Sequence, residues 1–213
     1  MDIFNEFELD VAREVINIGL ARAADSFSSI IKQKALFISL DLGIKSVDQI
    51  DHLVQKPDDH FYNLITEVKG EMEGICYLIF NDREADIIKE LCLPQELNDP
   101  EKLRIMGEAI MLEVDNMIAA AVITEFANML SLGIYGDVPR SNYMTREESE
   151  DFIKNETEKY NYVISFKAKL ATERTLLEPE FIWLLDEKFA GEIKRLTEDE
   201  QLVEKISKYN VRL

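Results

Sequence analysis

The apolar positions of this 213-residue chain change period several times, and each change predicts an element. From Asn5 to about Lys34 they recur at helical spacing, with Asn5 and Glu8 fitting a capping box and Phe4 with Leu9 a hydrophobic staple. ALFISLDL (35–42) then reads as a strand. The polar segment VQKPDDH (54–60) separates it from two β-like runs, FYNLITEVK (61–69) and GICYLIFN (74–81). Gly70 begins the turn between those runs, which predicts a hairpin. DREADIIKEL (82–91) returns to the helical period, and PQELND (94–99) is a linker.

The order then repeats. Asp99 is a good N-cap with Pro100 at the first helical position, and the second long helix runs to about Leu132. LGIYGDVP (132–139) takes the place of the first strand, and MTREESEDFIKNETEKY (144–160) is an acidic helical insertion. NYVISFKAKL (161–170), EFIWLLD (180–186) and the helix EKFAGEIKRL (187–196) complete the copy. READIIKEL (83–91) aligns with KFAGEIKRL (188–196) through Ala85/Ala190, Ile88/Ile193, Lys89/Lys194 and Leu91/Leu196, and Tyr62 corresponds to Tyr162. The expected fold is therefore α/β, of the α+β type. It is a duplicated α-β-β-β-α unit with pseudo-twofold symmetry, its two long helices packed on one shared sheet. Neither half can cover its sheet alone, so 1–213 is expected to be one domain of two repeats, about 1–95 and 96–213.

Within the first long helix, DVAREVINIG (10–19) places Asp10, Glu14 and Asn17 at about 0°, 40° and −20° around the axis, a stripe roughly 60° wide. Val11, Val15 and Ile18 form a separate apolar stripe beside it. In a single helix this reads as a solvated face with an Asn-Ile-Gly weakening. The recurrence changes the balance. Glu14-Val15-Ile16-Asn17 matches Glu113-Val114-Asp115-Asn116 midway along the second long helix.

Charge and composition narrow the chemistry. A formal charge of −18 with no basic cluster excludes a nucleic-acid surface. MIAAAVI (117–123) is too short to span a bilayer, and MDIFNEFELD carries no secretory n-region, so no membrane insertion and a cytoplasmic location are expected. Cys76 and Cys92 lack metal-type spacing and read as reduced core thiols. His52 and His60 fall in the polar linker, away from the long helices, so Asp10 and Glu14 at i, i+4 do not read as a di-metal site. DDH (58–60) reads as a solvated loop, and eight glycines include no phosphate-cradling motif. No metal site is expected.

AREVINIGLARAADSFSSI (12–30) resembles the signature helix of the CheC/CheX/FliY family of response-regulator phosphatases, and EVDNMIAAAVITEFANMLSLGIYGDVP (113–139) is similar to the second copy of that signature in two-site members. The family motif runs Asp or Ser, three residues, Glu, two residues, Asn, twenty-two residues, Pro. In the first repeat Asp10, Glu14 and Asn17 match, while Leu40 stands at the proline position. In the second, Glu113, Asn116 and Pro139 match, while Ala109 stands at the leading position. The resemblance implies hydrolysis of the aspartyl phosphate on a CheY-like receiver domain, with Glu14, Asn17, Glu113 and Asn116 catalytic and with Asp10 and Pro139 in binding. Asn17 and Asn116 would orient the hydrolytic water, being polar without a charge to repel the phosphoryl group. Glu14 and Glu113 would pair with the receiver's lysine. No cofactor is expected on this chain, the Mg²⁺ being the receiver's. The alternative is a non-catalytic receiver-binding or flagellar-switch-type module, or an adaptor for a CheD-like deamidase, and the Leu40 and Ala109 departures point that way.

Overall fold

The computed structural model describes residues 4–46, 54, 59–94, 99–172 and 175–199. His52, Asp58 and the expected repeat boundary within 95–98 lie outside the described residues. The elements run α1 (Glu6–Ile31), β1 (Leu36–Ser46), β2 (His60–Gly70), β3 (Gly74–Asn81), α2 (Asp82–Cys92) and α3 (Pro100–Leu130). They continue β4 (Ile134–Gly136), β5 (Arg140–Thr145), α4 (Arg146–Thr157), β6 (Tyr162–Ala171), β7 (Leu176–Leu177), β8 (Glu180–Leu185) and α5 (Glu187–Glu198).

Local chemistry sets the helix ends. At the start of α1 the Asn5 side chain accepts from the Glu8 N–H at 3.0 Å, and the Glu8 carboxylate accepts from the Asn5 N–H at 2.8 Å. Asp99 caps α3, with Pro100 in its first turn. Both long helices stop a little earlier than their periodicity predicts, because a left-handed residue ends each: Lys32 at φ 53° and Ser131 at φ 56°. The two cap residues stand 99 positions apart, as Asn17 and Asn116 do.

Among the described residues eight strands form one antiparallel sheet, ordered β1-β6-β8-β3-β2-β4, with β5 also on β2 and β7 on β6. The predicted hairpin is present, Tyr62 facing Phe80 and Thr66 facing Cys76, with Gly70 at φ 115° beginning its turn. Of the single strand expected over 132–139 only the three residues of β4 form, and β5 begins beyond it at Arg140. Pro139 has no N–H for the ladder, so pairing on β2 stops after Gly136 and resumes at Arg140. β5 and the two-residue β7 were not legible as strands.

The sheet has two buried faces. Alternation along β2 sends Leu64 and Val68 to the face that carries α1, α2, α3 and α5, where the larger core lies. It sends Phe61 and Ile65 to the opposite face, where they meet Tyr77, Ile79, Val163, Ile182 and Leu184 under Ile153 of α4. Asn63 on that second face donates to Ser149 Oγ at 2.8 Å and ties α4 to the sheet. The acidic insertion is thus a packed cover, on the side of the sheet away from the long helices.

Candidate functional site

α1 and α3 pack against each other through a close approach at Gly19. A Cβ built there would lie 2.9 Å from Cα and Cγ1 of Val122, closer than such contacts tolerate. The glycine of the INIG run therefore serves helix packing and is not a mere weakening of α1. Arg22 and Glu125 bridge the same helix pair at 3.5 Å.

Fixed in this way, the polar stripe of α1 is not uniformly open. Asp10 is exposed and pairs with Arg13 at 3.1 Å, an ion pair in water that contributes little. Asn17 is half-buried, and Glu14 is only 7% exposed. The expectation of a carboxylate projecting at 14 is corrected: the wide apolar surface of α1, from Val11 and Val15 through Ile18, draws the adjoining Glu14 into the packed region.

The α3 stripe is different. Glu113 and Asn116 are both exposed, one turn apart, with exposed Ala109 in the leading position. Large apolar side chains are also open, Ile105 and Met106 about two turns earlier on the same helix and Val138 and Tyr143 on the β4–β5 edge. After Ser131 the chain reverses and returns alongside α3. Ile123, two turns beyond Asn116, reaches Gly136, where a Cβ would sit 3.1 Å from its Cδ1. Gly136 thus packs on α3, and Pro139 follows three residues later on the same returning segment.

The segment carrying Pro139 is held to β2. The Asp137 N–H donates to the Glu67 carbonyl at 2.8 Å, the Lys69 ammonium binds the Asp137 carboxylate, and Arg140 meets Glu67 at 3.1 Å. Hydrogen bonding from Lys69, then from the Val138 N–H, holds the Asp137 carboxyl below the usual range. Three residues (137–139) stand opposite two on β2, which is a bulge. β1 is also irregular, but a little later in the repeat: Asp41 and Leu42 stand opposite one residue of β6 between Leu40 and Gly43. Leu40, at the proline position, is itself paired in register with Lys167.

One polar residue escaped the sequence reading. Asp115, between Glu113 and Asn116, is 1% exposed and accepts from Thr66 Oγ1 of β2 at 2.8 Å. Burial raises its carboxyl to about 7, against the hydrogen bond that lowers it. The available signal was the mismatch in the repeat, since the equivalent position in α1 is Ile16. Cys76, opposite Thr66 in the hairpin, is free and buried, and Cys92, also free, is half-buried. Among the described residues no group of three or more His, Cys, Asp or Glu could hold a metal ion, and no helix is long and apolar enough to cross a membrane.

No family model matches the chain. It is 26% identical over 148 residues to the CheY-P phosphatase CheC of Bacillus subtilis, covering 65% of this chain and 69% of that one. Its fold is similar to the crystal structure of Thermotoga maritima FliY, with a TM-score of 0.67 and 14% identity over 91% of this chain and 97% of the other. It is also similar to the Borrelia burgdorferi CheX–CheY–BeF₃–Mg²⁺ complex, with a TM-score of 0.50 and 16% identity over 81% of this chain and 99% of the other.

Proposed function

We propose, from the premise that this chain is a relative of the CheC, CheX and FliY proteins, that it hydrolyses the aspartyl phosphate of a CheY-like receiver, working mainly through α3. The observation that carries this reading is the joint exposure of Glu113 and Asn116 on a packed helix, with open apolar side chains on the same helix and on the β4–β5 edge. A polar pair within an apolar border is what a protein partner's active site can close over.

The step asks little of the chain. The water oxygen bonds to phosphorus, the bond from phosphorus to the aspartyl oxygen breaks, and the products are inorganic phosphate and the receiver's free carboxylate. Asn116 orients that water from a helix packed on both α1 and the sheet, and Glu113 pairs with the receiver's lysine. Pro139 and the exposed Val138, on the segment that returns alongside α3, are assigned to the rim of the site. Metal chemistry is supplied by the receiver's own Mg²⁺.

The first site favours a binding role, because Glu14 is withdrawn from solvent. There Asn17 and Asp10 form an accessory contact for the receiver or for a second partner such as a CheD-like deamidase. The deciding measurement is the decay of a phosphorylated receiver with wild type, Asn17→Ala, Asn116→Ala and the double variant. Asn116→Ala is expected to lower stimulated turnover about a hundredfold with docking intact, and Asn17→Ala about threefold or less. Unchanged turnover in the double variant would leave only the adaptor reading.

A further inference from the structure

We infer that Thr66 and Asp115 form a buried latch that positions Asn116 against Pro139, making one β2 residue of the first half a positioning element of the second site. Three contacts carry this. The Thr66 hydroxyl donates to Asp115 Oδ2 at 2.8 Å, and both residues are at most 2% exposed. The methyl of the same threonine faces Gly136, where a Cβ would lie 3.1 Å from it. Asp115 immediately precedes Asn116, and Gly136 lies three residues before Pro139. Thr66 therefore touches the helix that carries the amide and the strand that leads to the proline.

The apolar contacts of α3 are not directional, so Val114, Ile118 and Val122 can settle in the core at several small rolls of the helix. A hydrogen bond of fixed length selects one. A few degrees of roll at 115 turns the Asn116 side chain by the same angle, and positioning errors of that kind are costly in a reaction that consists of orienting water. The first site has no such device in α1, because Ile16 occupies the matching position.

The inference rests on the reading of Asn116 as the water-orienting group, and the test separates the two. Receiver dephosphorylation is measured in an Asn17→Ala background, which isolates the second site, for Thr66→Val and Thr66→Ser. Thr66→Val is expected to lower kcat about tenfold with KM within about twofold, and Thr66→Ser, which keeps the hydroxyl, to stay within about threefold of the parent. Hydrogen exchange supplies a readout that needs no turnover: in Thr66→Val it should rise about tenfold over 111–120 and stay unchanged over 12–21. If Thr66→Val does not fold, Thr66→Val/Asp115→Ile removes both polar groups together and should fold with the same loss of kcat. Full kcat in Thr66→Val, or exchange rising equally in both helices, overturns the latch. If the parent itself gives no stimulated turnover, the proposed function falls, and the exchange measurement alone then decides the latch.

Discussion

α1 and α3 carry the same Glu-x-x-Asn spelling, yet the fold treats them unequally. On α3 the glutamate and the amide both face water, while on α1 the glutamate is nearly covered and the amide half-covered. The residues between and beside the pair account for the difference. Position 16 is an isoleucine that packs, and position 115 is an aspartate that binds β2. Gly19 lets α3 approach α1 closely, whereas its counterpart on α3 is Ile118. The leading position holds Asp10, paired with Arg13, in one helix and the open Ala109 in the other. A repeated motif therefore conserves which groups are offered, while the neighbours decide how far they are offered.

The severest way to break this comparison is to give α1 the acid that α3 carries. Ile16→Asp buries a carboxyl at a position with 1% exposure and is expected to cost at least about 4 kcal/mol in urea unfolding. A cost below about 1 kcal/mol would mean that position 16 is supported as position 115 is, and the asymmetry drawn here would fail.

Much of the scaffold was readable because it rests on local chemistry. The Asn5/Glu8 box, the Asp99-Pro100 start and the hairpin at Gly70 each follow from a few adjacent residues, and each appears in the fold. The sheet order reads the same from either end when β1 is exchanged with β4–β5, β2 with β6 and β3 with β8. That is the arrangement an α-β-β-β-α repeat would build by swapping first strands between halves. What could not be read depends on distant partners. The burial of Glu14 is decided by how α1 packs, the split at Pro139 by its register on β2, and the role of Asp115 by a threonine 49 residues away. The destination of the insertion was likewise invisible, since the serine that receives Asn63 is an ordinary surface residue in sequence.

Asp115 also marks the α3 half by its response to pH. Its carboxyl is raised by burial to about 7 in the folded chain, so below about pH 4 both states hold the proton and folding is not penalised. As pH rises the unfolded chain ionises first, and stability falls until the folded group follows near pH 7. The loss levels off at about 4 kcal/mol above that. Subtracting the stability of wild type from that of Asp115→Asn isolates this group from exposed carboxylates such as Glu148, which is held low by the Thr145 backbone. The difference should climb between pH 4 and 8 and then stay flat. A flat profile throughout would show that position 115 is hydrated, against its burial.

A smaller effect is expected at the helix crossing. Gly19→Ala places a methyl against the backbone of Val122 and should lower stability by about 2 kcal/mol, whereas an alanine elsewhere in a helix interior stabilises relative to glycine. The sign of the change in melting temperature is the readout. A stabilised variant would mean that the two helices do not approach as closely as Gly19 and Val122 indicate.

The smallest effect concerns the residue that opened the motif. Asp10 is 70% exposed at its side chain and its partner Arg13 is 48% exposed, so Asp10→Ala should change stability by less than about 0.5 kcal/mol. Its influence on docking is bounded by the other half, which offers Glu113 and Asn116 with only Ala109 in that position. If α3 is the working site, a leading acid is dispensable, and in an Asn116→Ala background Asp10→Ala should alter receiver affinity by less than about twofold. Titrating a non-hydrolysable receiver complex against the two variants checks this. An affinity loss of tenfold would make the α1 rim a principal docking surface and reverse the ranking of the two helices.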